Sequence, residues 1–218
     1  RKEYGVRNLC LAGGVALNCV ANGKILQEKI FDNIWIQPAA GDAGGSLGAA
    51  LALWYNEQGN KREVNLNDDM KGSYLGPNYK DVDIEKEFNL CGAKFKLMDK
   101  SDLIETVAEE IANEKAVGLM QGRMEFGPRA LGCRSIIADP RSPIMQKQLN
   151  LKVKYRESFR PFAPSILSEH TSEWFDIKVD SPYMLLVADI LKEKRLKMTK
   201  EEEDLFGIEK LNIKRSSI

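Results

Sequence analysis

Two short apolar runs, each closed by a turn and followed by a helix-compatible segment, constrain this chain more than any other feature. The first, "VRNLCLAGG", ends in Gly13-Gly14 and leads into "ALNCVANGKILQEKI", where Val20, Ile25, Leu26 and Ile30 fall close to helical spacing. The second, "NIWIQP", stops at Pro38, and the glycine turn of "GDAGG" then opens the Ala/Leu-rich "SLGAALALWYNEQG". Two strands joined through a helix run parallel with a right-handed crossover. Parallel sheets are covered on both faces and have several strands, which roughly fifty residues cannot supply alone. The segment therefore reads as the end of a larger α/β domain.

Both glycine turns sit where a strand gives way to a helix. Bare backbone N–H groups at a positive helix end can hold phosphate oxygens. Alternatively, Gly13-Gly14 and Gly44-Gly45 serve only sharp turns and close packing. Neither is a P-loop, because no Gly-Lys-Ser/Thr follows. Asp42, just ahead of the second helix, has the position of an N-cap and also that of a metal ligand.

Residues 58–80 are polar and broken by Gly and Pro, as in a linker between separate globular units. A second α/β pattern follows. It predicts a helix over 83–90, a strand at "KFKLM" (94–98), and a helix in "SDLIETVAEEIANEK" with Ser101 as N-cap. Leu103, Ile104, Val107, Ala108 and Ile111 form the apolar stripe of that helix. "AVGLMQG", "RSIIADP" and "FAPSILS" read as strands, and "SPIMQKQLNLKV" as a helix with Pro143 in its first turn.

Net charge decides how the next segment is read. The 218-residue chain carries 32 basic and 32 acidic side chains, so no global field draws it to nucleic acid or an anionic membrane. Yet residues 121–160 hold nine cations against three anions, a local +6. Arg129, Arg134, Arg156 and Arg160 lie against Gly, Pro or aromatic residues in "FGPRALGCR" and "YRESFRPFAP". The planar guanidinium fork suits phosphate and carboxylate, so these side chains read as an anion grip. Arg141, Lys147 and Lys152 read as surface charge. A groove tracking a nucleic-acid backbone is the competing interpretation, since Tyr155, Phe159 and Phe162 interleave with the cations.

The remaining chemistry is sparse. Cys10, Cys19, Cys91 and Cys133 form no CxxC pair and are expected as reduced, buried thiols of a cytoplasmic protein. His170 is the only histidine and is expected as a surface or capping group. Residues 192–204, with charges of both signs in blocks, read as a solvated helix or loop. No run reaches the ~20 apolar residues of a membrane span.

"LAGGVALNCVANGKI", "QPAAGDAGGSLGAAL" and "GRMEFGPRALGCRSIIADPRSPIMQKQLNLKVKYRESFRPFAPSIL" together resemble the O-carbamoyltransferase family, which includes nodulation and antibiotic carbamoyltransferases. The resemblance covers most of residues 6–190; the two glycine motifs are also similar to threonylcarbamoyl-transferring tRNA enzymes. It implies an α/β architecture: the C-terminal part of an actin/Hsp70-like ATPase-fold domain (1–60), a linker (61–80), and a YrdC-like α/β domain (81–218). It further implies that ATP and carbamoyl phosphate become carbamoyl adenylate, and that the carbamoyl group passes to a hydroxylated small-molecule acceptor with help from a divalent metal (Fe or Mg). On that resemblance Gly13, Gly14 and Asn18 line the adenylate site and Asp42 is a metal ligand. Arg129, Lys154 and Arg160 grip the phosphates, with Arg134 and Arg156 next. The family's metal-binding histidines and its last C-terminal motifs have no counterpart here, so the chain reads as an inactive fragment. Neither the acceptor nor the oligomeric state can be read from it.

Overall fold

The structure is a computed structural model that describes residues 1–65, 67–211 and 213. The closing "NIKRSSI" lies, apart from residue 213, outside the described residues. The architecture is mixed α/β, with short helices and two two-stranded sheets. Contacts divide the chain into two compact units. Unit one comprises Arg1–Glu87, Met120–Ser135 and Val179–Ala188; unit two comprises Phe88–Leu119, Ile136–Lys178 and the residues from Asp189 on. Each unit draws on separate stretches of sequence.

In unit one, β1 (Asn8–Leu11) and β2 (Asn33–Ile36) pair in parallel, with Asn8 opposite Asn33 and Leu11 opposite Ile36. The crossover contains a 3-10 turn, Gly14–Leu17, and α1 (Cys19–Gln27), capped where Asn18 Oδ1 accepts from Ala21 N at 3.1 Å. After β2 comes α2 (Asp42–Ala52), which continues in wider turns through Leu53–Glu57. Gly44 is a packing glycine, since a Cβ there would stand 2.4 Å from Ala39 O. Leu9 and Leu11 are half-buried, while Cys10, opposite the exposed Trp35, faces the uncovered side of the pair. The expectation of buried thiols is thereby corrected: Cys10 and Cys91 are exposed, Cys19 and Cys133 are half-exposed, and all four are free.

The polar stretch before residue 80 is firmly bonded within unit one. Met70 and Ser73 are buried. Ser73 O accepts from Phe126 N at 2.6 Å, Gly76 N donates to Met124 O at 2.9 Å, and Met124 N donates to Pro77 O at 3.0 Å. Residues 179–188 are strapped to the same unit. Asn22, 2% exposed, donates to Ala16 O and Leu185 O at 2.8 and 3.0 Å, and the Tyr183 hydroxyl donates to Asp68. Burial and the Asp68 carboxylate push the Tyr183 phenol up. Asp68 is held low, because donation from Tyr183, Gly72 and Met70 outweighs its burial. Tyr183→Phe breaks this clasp at a partly exposed site and should cost about 1 kcal/mol. Limited proteolysis of the full-length protein should then cut faster within 179–188; an unchanged rate would show that the clasp does not hold the strap.

In unit two, α4 (Lys100–Ala112) forms as the periodicity predicts, but Asp99 caps it instead of Ser101. Asp99 Oδ1 accepts from Asp102 N at 3.1 Å and also from Ser101 Oγ at 2.9 Å, so the shorter hydroxyl side chain serves the cap instead of making it. Leu103 and Ile104 stay exposed. No strand forms at 94–98. That stretch leaves α3 (Asp81–Leu90) without a partner strand, and Phe95 turns back onto Phe88 at 5.5 Å. Nor is 162–168 a strand, because Pro161 and Pro164 break the run of ladder donors. The other two predicted strands form: β3 (Val117–Met120) pairs with β4 (Arg134–Ile137), and Gln121 N to Cys133 O at 2.9 Å, both in unit one, prolongs their pairing.

The helix predicted over 142–153 begins later, as α5 (Met145–Gln148), continuing in wider turns through Leu149–Val153. Pro143 therefore lies ahead of the first turn, and Met145 and Leu149 supply the buried face. Three short helices follow, α6 (Thr171–Trp174), α7 (Lys200–Asp204) and α8 (Ile208–Leu211). His170 precedes α6 and pairs with Glu173 at 2.9 Å on the surface. No helix among the described residues is long and apolar enough to cross a membrane.

Candidate functional site

Three motifs that are far apart in sequence meet in unit one. Gly13 N donates to Ala40 O at 2.7 Å, which joins the turn after β1 to the turn after β2. Gly13 has φ +93°, and a Cβ at Gly13 or Gly14 would meet nothing within 4 Å, so this bare turn borders open space. Asp42 is the first residue of α2, with Gly41 as N-cap, and its exposed carboxylate caps nothing. Pro128 arrives from the third motif. Gly14, Leu17, Gly41, Asp42, Ala43 and Pro128 line a cavity of about 390 Å³. Beside it, Arg129 Nη2 donates to Leu17 O at 2.9 Å, while Arg129 Nε is buried without a hydrogen-bond partner among the described residues.

The loop that carries Arg129 is built around Glu125, whose side chain is fully buried. Its Oε1 accepts from the backbone N–H of Leu131, Cys133 and Arg134 at 2.7, 2.8 and 3.3 Å. Its Oε2 lies 3.1 Å from Arg134 Nε, an ion-pair contact without hydrogen-bond alignment. Burial disfavours the charged carboxylate, but backbone donation from Leu131, Cys133 and Arg134 outweighs it, so Glu125 titrates below its ordinary range. Arg134 also donates through Nη2 to Gly127 O at 2.7 Å. Gly127, at φ +111°, could carry no Cβ, which would stand 2.5 Å from that of Ala39. Rigid glycine and proline geometry thus sets the direction of Arg129, and Arg134 braces the loop from inside.

The other candidate anion-binding residues, Lys154, Arg156 and Arg160, belong to unit two. Lys154 ends the α5 extension and is exposed. The Arg156 guanidinium lies over the Phe162 ring at 4.9 Å, and its Nε donates to Asn150 Oδ1 at 2.6 Å. Arg160 Nε pairs with Glu157 at 2.7 Å, with both side chains about half exposed. That guanidinium and the backbone N–H of Glu157 hold the Glu157 carboxyl low. Arg141 is clamped on Asp139 and Lys147 is exposed, as expected of surface charge.

The structure thus gathers Gly13, Gly14, Asp42 and Arg129 in unit one, with Asn18 one position beyond the same turn, and keeps Lys154, Arg156 and Arg160 together in unit two. Sequence reasoning missed Glu125 and Asn150. Their only signal was a polar residue inside an otherwise turn-bound or apolar stretch, and burial alone makes that meaningful. For the divalent metal, Asp42 offers one oxygen ligand. No group of three His, Cys, Asp or Glu among the described residues could hold an ion, so these residues do not form a metal site by themselves. The Gly13-Gly14 turn does fit a phosphate-bearing nucleotide, since no Cβ placed there would meet another atom within 4 Å.

Two family models match the chain, "Carbamoyltransferase N-terminus" over residues 1–51 and "Carbamoyltransferase C-terminus" over residues 108–202. The chain belongs to the carbamoyltransferase family. It is 57% identical over 219 residues to an uncharacterized protein of Synechocystis sp., covering 100% of this chain and 36% of that protein. It is 43% identical over 198 residues to nodulation protein NolO of Bradyrhizobium diazoefficiens, covering 89% and 35%, and 37% identical over 181 residues to nodulation protein U of Rhizobium fredii, covering 83% and 28%. The chain thus spans about a third of the length of the curated relatives it matches.

Proposed function

We propose that this chain is part of an ATP-dependent O-carbamoyltransferase acting in the cytoplasm. On this reading ATP and carbamoyl phosphate are converted to carbamoyl adenylate, and the carbamoyl group then passes to a hydroxyl of a sugar or natural product. The adenylation balances with one water consumed and with pyrophosphate and inorganic phosphate released. The observation that carries the proposal is the meeting of the Gly13-Gly14 turn, the Asp42 turn and the Gly127-Pro128-Arg129 loop around one cavity. Domain identity as actin/Hsp70-like and YrdC-like belongs to the same proposal.

Each group has a physical task. Gly13 and Gly14 present backbone to the adenylate without side-chain obstruction. Arg129 in unit one would pair with a phosphate of the nucleotide, and in unit two Lys154, Arg156 and Arg160 would offset the charge of a phosphate-bearing reactant. Asp42 would supply one ligand if a divalent metal is bound there, and such an ion would act as a Lewis acid. The test is an assay of the full-length protein with ATP, carbamoyl phosphate and a panel of hydroxylated acceptors. Absence of carbamoyl-phosphate-dependent pyrophosphate release would overturn the reading. Single-stranded oligonucleotide binding in its place would favour the nucleic-acid alternative, for which Lys154, Tyr155 and Arg160 are exposed.

Asn18 separates a cap from a ligand contact. Asn18→Ala removes the acceptor for Ala21 N and should cost about 1 kcal/mol of stability. Asn18→Asp keeps that acceptor while adding a negative charge beside the bare turn. The aspartate variant is therefore expected to melt as wild type yet use ATP with a raised KM. An unchanged KM would leave Asn18 as a helix cap alone.

A further inference from the structure

We infer that Asn150 is a positioning residue for the anion grip of unit two, aiming Arg156 and the 156–160 loop at the phosphate group of carbamoyl phosphate. The inference rests on the proposed reading of Arg156 and Arg160 as anion-binding groups. Asn150 is 0% exposed, and both halves of its amide are tied to this one loop. Nδ2 donates to Ser158 O at 3.1 Å and to Arg160 O at 2.8 Å. Oδ1 accepts from Arg156 Nε at 2.6 Å. The backbone carbonyl of Asn150 also accepts from Arg156 N at 3.0 Å. Gln146, one turn earlier, donates to Phe159 O and Arg160 O at 3.0 and 3.1 Å.

The chemistry of these bonds points to orientation. A residue needed only to fill the α5 face beside Met145 and Leu149 would be apolar, since a buried amide gains nothing over a hydrocarbon unless its partners are specific. Here the amide needs both of its halves. Its donor half fixes two loop carbonyls, and its acceptor half fixes a guanidinium edge. That edge is Nε; the two Nη groups of Arg156 make no hydrogen bond among the described residues. The Phe162 ring holds the guanidinium plane from one face. An arginine fixed at Nε and stacked on a ring, with its terminal nitrogens uncommitted, is pre-organised to receive a planar or tetrahedral anion. The turn itself is strained, since Tyr155 has φ +49°, and the bond from Arg156 N to Asn150 O keeps it closed.

The test uses the full-length protein and reads carbamoyl-phosphate-dependent pyrophosphate release from ATP, with melting temperature measured alongside. The variants are Arg156→Ala, Asn150→Ala, Asn150→Asp, and each Asn150 change combined with Arg156→Ala. Asn150→Asp keeps the acceptor for Arg156 Nε and loses both donors, so it stands in where Asn150→Ala does not fold. Either Asn150 change should lower kcat/KM for carbamoyl phosphate about tenfold, and each double variant should fall within about twofold of Arg156→Ala alone, because both residues act through one guanidinium. Folded Asn150 variants at wild-type kcat/KM beside an impaired Arg156→Ala would overturn the positioning role alone. Losses that multiply in the double variants would also overturn it and make Asn150 a packing residue. Arg156→Ala at full rate would overturn the reading of the grip, and this inference with it.

Discussion

On the proposed reading, Arg129→Ala in the full-length protein is expected to slow carbamoyl adenylate formation about ten- to a hundredfold. A hydrogen bond to a charged group is worth about 1.5–3 kcal/mol, and each factor of ten in rate corresponds to about 1.4 kcal/mol. Arg129 stands beside the cavity lined by Gly14, Asp42 and Pro128, with one terminal nitrogen on Leu17 O. Arg160→Ala should fall in the same range, because its partner Glu157 is an exposed ion pair that an anionic ligand can displace. Lys147→Ala, on an exposed face, is the control and should change the rate less than twofold. Stably folded Arg129→Ala and Arg160→Ala proteins with normal pyrophosphate release would reduce the grip to ordinary surface charge. Equal losses from Lys147→Ala would point to a diffuse basic patch.

Glu125→Ala is expected to destabilise the fold by about 3–5 kcal/mol, because it leaves Arg134 and three backbone donors facing a hole. Glu125→Gln keeps the shape and one acceptor oxygen, so it should cost less. Chemical denaturation monitored by fluorescence separates the two, and equal small losses would show that the carboxylate does not organise the loop. The pH dependence follows from the direction of the shift. The Glu125 carboxyl titrates lower folded than unfolded, so its contribution is complete above the ordinary carboxylate range and is lost as pH falls through the depressed folded value. The wild-type protein should therefore lose stability on acidification below about pH 4.5 more steeply than Glu125→Gln.

Local physics was legible wherever a rule acts over a few residues. The parallel β1–β2 pair follows from two apolar runs joined through a helix, and α4 follows from its stripe of Leu103, Ile104 and Val107. β3 and β4 were readable as short apolar runs before turns. The misses have a common cause. "KFKLM" alternates like a strand, but a strand exists only with a partner, and none pairs with it among the described residues. Cys10 looked buried from its apolar neighbours, yet alternation along β1 turned it to the open side, opposite Trp35.

The sequence by itself determined the chemistry on offer: bare glycine turns after strands, one carboxylate at the head of α2, and arginines set among Gly, Pro and aromatic residues. Those are properties of residue type and near-neighbour spacing. Only the tertiary structure decided which of these groups are spent on holding the fold. Arg134 and Arg129 share one motif, but Arg134 is spent on Glu125 and Gly127 O while Arg129 reaches the turn after β1. Asn150 is one polar letter in "MQKQLNLKV" until burial and the return of the chain at 156–160 engage both halves of its amide. A hydrogen bond depends on ångström-scale distance and direction, and a linear sequence contains neither for residues that meet only after the chain has folded.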